Sequence, residues 1–202
     1  MTGMDWERVA AHEPTAAVDG DREAAVLVPV IDRPDGYHLL FTKRAEHLGE
    51  HPGQMSFPGG GREPVDSSLE ATATREAHEE IGLEPSEADV RGRLDDIPTV
   101  SNYAVRPFIA AIPDREYVPD EGEVAEIAVL SLSELTASEN YESERREHAN
   151  YGSVRIHYFR VDGYTVWGAT GRMLVQFLEL ATDWTAPETV DRVVDPDADY
   201  PV

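Results

Sequence analysis

The chain has 202 residues, of which 41% are hydrophobic, and carries a formal charge of −23 from 40 acidic and 17 basic side chains. That length and apolar content suffice for one domain with a substantial core, while no stretch of about 18 apolar residues is present to span a membrane. Zero cysteines exclude disulfides and any thiolate metal site.

The acidic surplus runs along the whole sequence, and Lys43 is the only lysine. This argues against nucleic-acid binding through a basic patch. It fits a protein kept soluble in concentrated salt, where screening lengths fall to a few ångströms and self-repulsion is muted. With no charged-then-apolar leader, the expected setting is a halophilic cytoplasm.

In chain order, Met4 to His12 reads as a short amphipathic helix and Pro14 to Gly20 as a linker, together an N-terminal segment over 1–20. Ala24 to Ile31 is an apolar, β-branched run expected to form a buried strand. After the Pro34-Asp35-Gly36 turn, Tyr37 to Thr42 is its hairpin partner. Lys43 and Arg44 emerge at that strand's end, ahead of a helix-like AEHLGEH segment whose His47 and His51 are read as loop-orienting. Gly59, Gly60 and Gly61 predict a tight loop. Asp66-Ser67-Ser68 then starts an Ala-rich helix, with Glu70 placed for a capping box on Ser67, and Gly82 ends it.

On that helix Glu76, Glu79 and Glu80 lie at i, i+3 and i+4, within an arc of roughly 100°. Ala73, Ala77 and Ile81 form the neighbouring apolar stripe, so the carboxylates sit at the edge of a core. Three like charges on one face repel, and a hard divalent cation that prefers oxygen ligands and bridges carboxylates to phosphates would neutralise them.

Farther along, Val90 to Ile97 and Tyr103 to Ile112 read as strands separated by Pro98 to Asn102. Tyr103 and Arg106 could reach the cleft but are read as packing or surface residues. Ile127 to Leu130 is a strand, followed by a helical turn at Ser131 to Leu135. Ser153 to Val161 and Tyr164 to Trp167 form a hairpin across Asp162-Gly163, and Ala169 to Leu180 is a closing amphipathic helix. The Pro- and Asp-rich tail over 183–202 is expected to be poorly ordered.

The glycine turn followed by Arg75-Glu76-Ala77-His78-Glu79-Glu80-Ile81-Gly82-Leu83 resembles the box of the Nudix hydrolases, G-x5-E-x7-R-E-U-x-E-E-x-G-U, where U is aliphatic. The first Glu of that pattern falls on Ser67. Either that carboxylate is missing, or a one-residue insertion lets Asp66 or Glu63 stand in. The upstream run through Leu48, His51, Gly53 and Phe57 to Pro58-Gly59-Gly60 resembles the signature of coenzyme A pyrophosphatases, L-x-x-H-x-G-x-x-x-F-P-G-G. Trp167-Gly168-Ala169-Thr170 resembles their W-G-x-T helix start.

The resemblance implies an α/β/α sandwich with a mixed β-sheet over 21–182 and Mg2+ or Mn2+ as cofactor. It implies Glu76, Glu79 and Glu80 as metal ligands, with Arg75 orienting one of them. It also implies hydrolysis of a diphosphate in coenzyme A or an acyl derivative. Lys43, Arg44, Gly59, Gly60 and Gly61 would bind substrate. Glu123, in an acidic loop before a strand, would complete the metal shell or act as general base, a role for which Glu79 is the other candidate. Two alternatives stay open: another nucleoside diphosphate derivative such as ADP-ribose as substrate, or a nucleotide-binding protein without turnover. The partner is thus a small nucleotide, with no nucleic acid and no membrane, and a homodimer is left open.

Overall fold

The structure is a computed structural model and describes residues 3–16, 22–47, 53–99, 102–148, 152–196, 198 and 200. In chain order the elements begin with α1 (Trp6–Ala11), β1 (Arg22–Arg33), β2 (Gly36–Arg44), β3 (Met55–Ser56), β4 (Gly59–Gly61) and α2 (Leu69–Ile81). They continue with β5 (Asp89–Arg93), β6 (Ile97–Pro98), β7 (Tyr103–Ile112), β8 (Val124–Ser131), α3 (Leu132–Leu135) and β9 (Tyr141–His148). Then come β10 (Gly152–Val161), β11 (Tyr164–Val166), α4 (Gly168–Ala181) and β12 (Arg192–Val194).

β1 is the spine of a mixed sheet ordered β3-β2-β1-β7-β5, with β4 added on β1, β6 on β7 and β8 on β2. It runs parallel to β7 and antiparallel to β2. Both faces of β1 are covered, which is why its sequence reads as a near-continuous apolar run. Ala25, Leu27 and Ile31 meet Leu69, Ala73, Ala77 and Ile81 of α2, whereas Ala24, Val28 and Val30 belong to a second cluster with Met173, Leu174, Phe177 and Leu178 of α4. A smaller sheet, β11-β10-β9-β12, packs in that second layer. The class is α/β with a mixed sheet between helices, as expected. Among the described residues no helix is long and apolar enough to cross a membrane.

Three local expectations are corrected. Ala45 to His47 is coil and turn rather than helix, and Leu48 and His51 of the upstream signature lie outside the described residues. The three glycines form strand β4, paired with Ala24 to Val26 of β1, instead of a free loop. The cap of α2 is Ser68, whose hydroxyl accepts from Ala71 N–H at 3.1 Å, so Ser67 and Glu70 make no capping box. Gly82 does end the helix, in the left-handed region at φ 66°.

The tail is also held in place where it is described. β12 pairs in parallel with β9, a strand that the polar run YESERREH did not announce. Glu144 and Arg146 of β9 are almost fully buried and paired at 3.0 Å. Arg192 of the tail donates from Nε to Glu144 Oε2 at 3.0 Å, and the Tyr158 hydroxyl donates to Glu144 Oε1 at 2.9 Å. A buried carboxylate needs such partners, and the tail supplies one of them.

Candidate active site

β4 lies directly over α2, and its glycines are required by close approach. A Cβ on Gly59, whose φ is +157°, would stand 2.4 Å from Ala25 O, and one on Gly60 would stand 2.6 Å from Glu76 Oε1. Bare backbone therefore presses against the carboxylates of the helix.

Arg75 holds this edge together. Its Nε donates to Asp66 Oδ1 at 2.9 Å and its Nη2 to Asp66 Oδ2 at 3.1 Å. Nη2 also donates to Gly61 O at 3.1 Å and to Glu76 Oε1 at 2.9 Å, while Nη1 donates to Glu79 Oε2 at 2.8 Å. The i, i+4 pair between Arg75 and Glu79 is as the spacing anticipates. Hydrogen bonding from Arg75 holds the Asp66 carboxyl well below the usual carboxylate range, aided by Glu63 N–H and the Thr72 hydroxyl. Ser67 is exposed. The acid that engages Arg75 is thus Asp66, one position earlier than the Nudix pattern places it, and Glu63 contributes through its backbone, its N–H donating to Asp66 Oδ2 at 2.9 Å and its carbonyl accepting from Asp66 N–H at 3.0 Å.

Glu80 is the most constrained acid of the site. Burial first, and then the charge of Glu76, push its carboxyl up to about 8, despite a hydrogen bond from Gly59 N–H and the opposing charge of Arg44. Its Oε2 is buried and has no hydrogen-bond partner. Glu76 is raised as well, by burial, with Arg75 opposing and Glu79 and Glu123 adding repulsion. A buried carboxylate oxygen left unpaired beside a second carboxylate is costly unless a cation balances it. These residues therefore fit Mg2+ or Mn2+. Among the described residues no three acidic or imidazole groups close into a complete cage. Mg2+ is commonly held by one or two carboxylates together with waters and substrate phosphates.

Glu76, Glu80 and Glu123 are brought together electrostatically. Glu123 is exposed on the turn before β8, where its carbonyl accepts from Ala45 N–H at 2.9 Å. Glu79 is turned toward Arg75, with its side chain 55% exposed, and its charge bears on Glu76. Lys43 is half-buried on β2 opposite Met55 and Glu126. Arg44 follows it, within electrostatic reach of Glu80. His47 is exposed. Gln54 and Gly168 meet, so that a Cβ on Gly168 would lie 3.5 Å from the Gln54 amide. The upstream signature and the W-G-x-T segment are thereby adjacent in space.

The family model described as NUDIX domain matches residues 21–151. The chain is 39% identical over 159 residues to "Uncharacterized Nudix hydrolase NudL" of Enterobacter sp. (strain 638), covering 76% of this chain and 79% of that protein. It is 36% identical over 157 residues to the protein of the same name from Yersinia pestis (strain Pestoides F), with 76% and 77% covered. A solved Nudix hydrolase of M. smegmatis, RenU, superposes with a TM-score of 0.48 at 24% identity, over 57% of this chain and 74% of that one.

Proposed function

The chain belongs to the NUDIX domain family of hydrolases, and from that premise we propose that it cleaves the diphosphate of coenzyme A or an acyl-coenzyme A. The products are 3′,5′-ADP and 4′-phosphopantetheine or its acyl form, and the setting is a salt-rich cytoplasm. The observation that carries the reaction type is Glu80, half-buried beside Glu76 with its inner oxygen buried and unpartnered. The finer choice of substrate rests on the upstream signature and on the contact of its Gln54 with Gly168.

In this reading Glu76 and Glu80 hold Mg2+ or Mn2+, with Glu79 as a third ligand or as base. The cation, when bound, lowers the pKa of an attacking water and offsets the charge of the diphosphate. Arg75, gripped by Asp66, fixes the orientation of Glu76 and Glu79. Gly59, Gly60 and Gly61 let the substrate phosphates approach the backbone closely. Lys43 and Arg44 supply positive charge at the mouth of the site, which a chain of net charge −23 needs if it is to admit a polyanion. Glu123 would complete the metal shell or, in place of Glu79, act as the general base.

The test is a turnover panel of coenzyme A, ADP-ribose and NADH with purified protein in molar KCl, first with Mg2+ and then with Mn2+. Highest kcat/KM for coenzyme A is expected. A clear preference for ADP-ribose or NADH overturns the substrate assignment while leaving the diphosphatase reading in place.

A further inference from the structure

Beyond the carboxylates, β4 opens at Gly61 into a cleft of about 470 Å3, within the range of small-molecule sites. Arg22, Glu23, Gly61, Arg62, Glu63 and Tyr103 line it, and Asp66 forms part of its wall. Arg22 lays its guanidinium over the Tyr103 ring, 4.2 Å from the ring centre. The edge of that ring lies over Gly61, where an added Cβ would meet Cε1 at 3.8 Å and the hydroxyl at 3.9 Å. Any side chain at this position would fill the space between ring and strand. Arg62 takes up the charge of Glu23 at 2.8 Å.

We propose that this cleft is a nucleotide subsite, in which the Tyr103 and Arg22 pair receives an adenine ring and a phosphomonoester carried by the same nucleotide. The inference rests on the diphosphatase reading given above and extends it to the nucleoside half of the substrate. Placement supports it. Gly59 bonds Glu80, Gly60 abuts Glu76, and Gly61 borders the cleft. At about 3.3 Å per residue the step along β4 from acid to cleft is roughly 7 Å, about the reach of a ribose between a diphosphate and its base. Arg75 spans the same step, bonded to both Gly61 O and Glu76.

Chemistry supports it too. An aromatic ring stacks bases without regard to sequence. A guanidinium is suited both to stacking on a ring and to two-pronged phosphate recognition. Arg22 would then favour nucleotides with a 3′-phosphate over those without one, and Tyr103 would serve either kind.

Binding of adenosine 3′,5′-bisphosphate and of 5′-AMP is measured by calorimetry in EDTA, with wild type, Tyr103→Phe, Tyr103→Ala and Arg22→Gln. Wild type and Tyr103→Phe should bind the bisphosphate alike, and Tyr103→Ala about tenfold more weakly. Arg22→Gln should lose the preference for the bisphosphate over 5′-AMP. Equal affinities across all four proteins, or no binding by wild type, overturns the subsite. The same preparations are assayed for turnover of coenzyme A and ADP-ribose. Binding that depends on Tyr103 without any turnover supports the subsite and overturns the reaction. Turnover whose KM ignores Tyr103→Ala overturns the subsite and leaves the reaction standing, and a raised KM at nearly constant kcat supports both.

Discussion

Asp66 grips Arg75 with both carboxylate oxygens, at 2.9 and 3.1 Å, across nine residues of sequence. The Asp66 side chain is 3% exposed and that of Arg75 19%. Because the same guanidinium reaches Glu76, Glu79 and Gly61 O, this pair sets the geometry of the whole carboxylate edge from behind.

Removing one partner of a buried ion pair strands the other charge, at a cost of about 3–5 kcal/mol. Asp66→Ala should therefore lower unfolding free energy by about 3 kcal/mol, the low end of that range, and reduce turnover. Exposed Ser67→Ala should stay within about 0.5 kcal/mol of wild type. Urea denaturation of the two variants checks this, and equal losses would mean that Ser67 shares the role.

Glu80 is held in the fold against its own preference, with an unpaired oxygen and carboxylates for neighbours. Glu80→Gln keeps the shape and removes the charge, so the melting temperature in EDTA should rise by about 2–4 °C, the equivalent of ~1 kcal/mol for a chain of this size. Adding MnCl2 should then stabilise wild type and leave the variant unmoved. Differential scanning calorimetry in both conditions distinguishes this from a merely structural acid, whose replacement would destabilise with or without metal.

His157 shares a hydrogen bond of 2.8 Å with the Tyr141 hydroxyl. Burial, and then Arg155 and Arg172, push its imidazole down to about 4. An unfolded histidine takes up its proton near pH 6.5, so between that value and about 4 the unfolded state binds one proton more. The contribution is fully present above pH 6.5 and is lost as pH falls through this window. His157→Gln should flatten the slope of stability against pH there by about one proton, as read from chemical denaturation at a series of pH values.

The acidic surface gives a prediction for salt. With a charge of −23, self-repulsion should relax as the screening length falls from about 10 Å at 0.1 M to about 3 Å at 1 M. The melting temperature should accordingly climb from 0.1 to 2 M KCl. A flat or falling curve would remove the case for adaptation to concentrated salt.

Much of this architecture is legible in the residues. The spacing of Ala73, Ala77 and Ile81 beside Glu76 and Glu80 foretells which side of α2 is buried and which acids stand at its edge, because a helix turns about 100° per residue whatever surrounds it. The glycines mislead in a specific way. Gly59 to Gly61 signal conformational freedom, whereas Gly59 and Gly60 let β1 and Glu76 come close, and proximity of that kind has no local signature. Asp66 replaces the acid expected at position 67 because the path into the helix absorbs one extra residue, and only the geometry of Arg75 resolves which acid is used. β9 is hidden for a related reason: Glu144 and Arg146 look like surface residues until Arg192, 48 residues downstream of Glu144, is brought alongside. Long-range partners of buried charges cannot be inferred from a local pattern.

The central claim is that Glu76 and Glu80 form a cation-dependent seat for diphosphate hydrolysis. It is tested most directly by following release of 3′,5′-ADP from coenzyme A by wild type, Glu80→Gln and Glu123→Gln, with Mg2+, with Mn2+ and in EDTA. The account predicts turnover by wild type with either cation, none in EDTA, loss of about 100-fold or more in Glu80→Gln, and a measurable loss, up to the ~100-fold of a displaced general base, in Glu123→Gln. Turnover that persists in EDTA, or that is unchanged in Glu80→Gln, would contradict it.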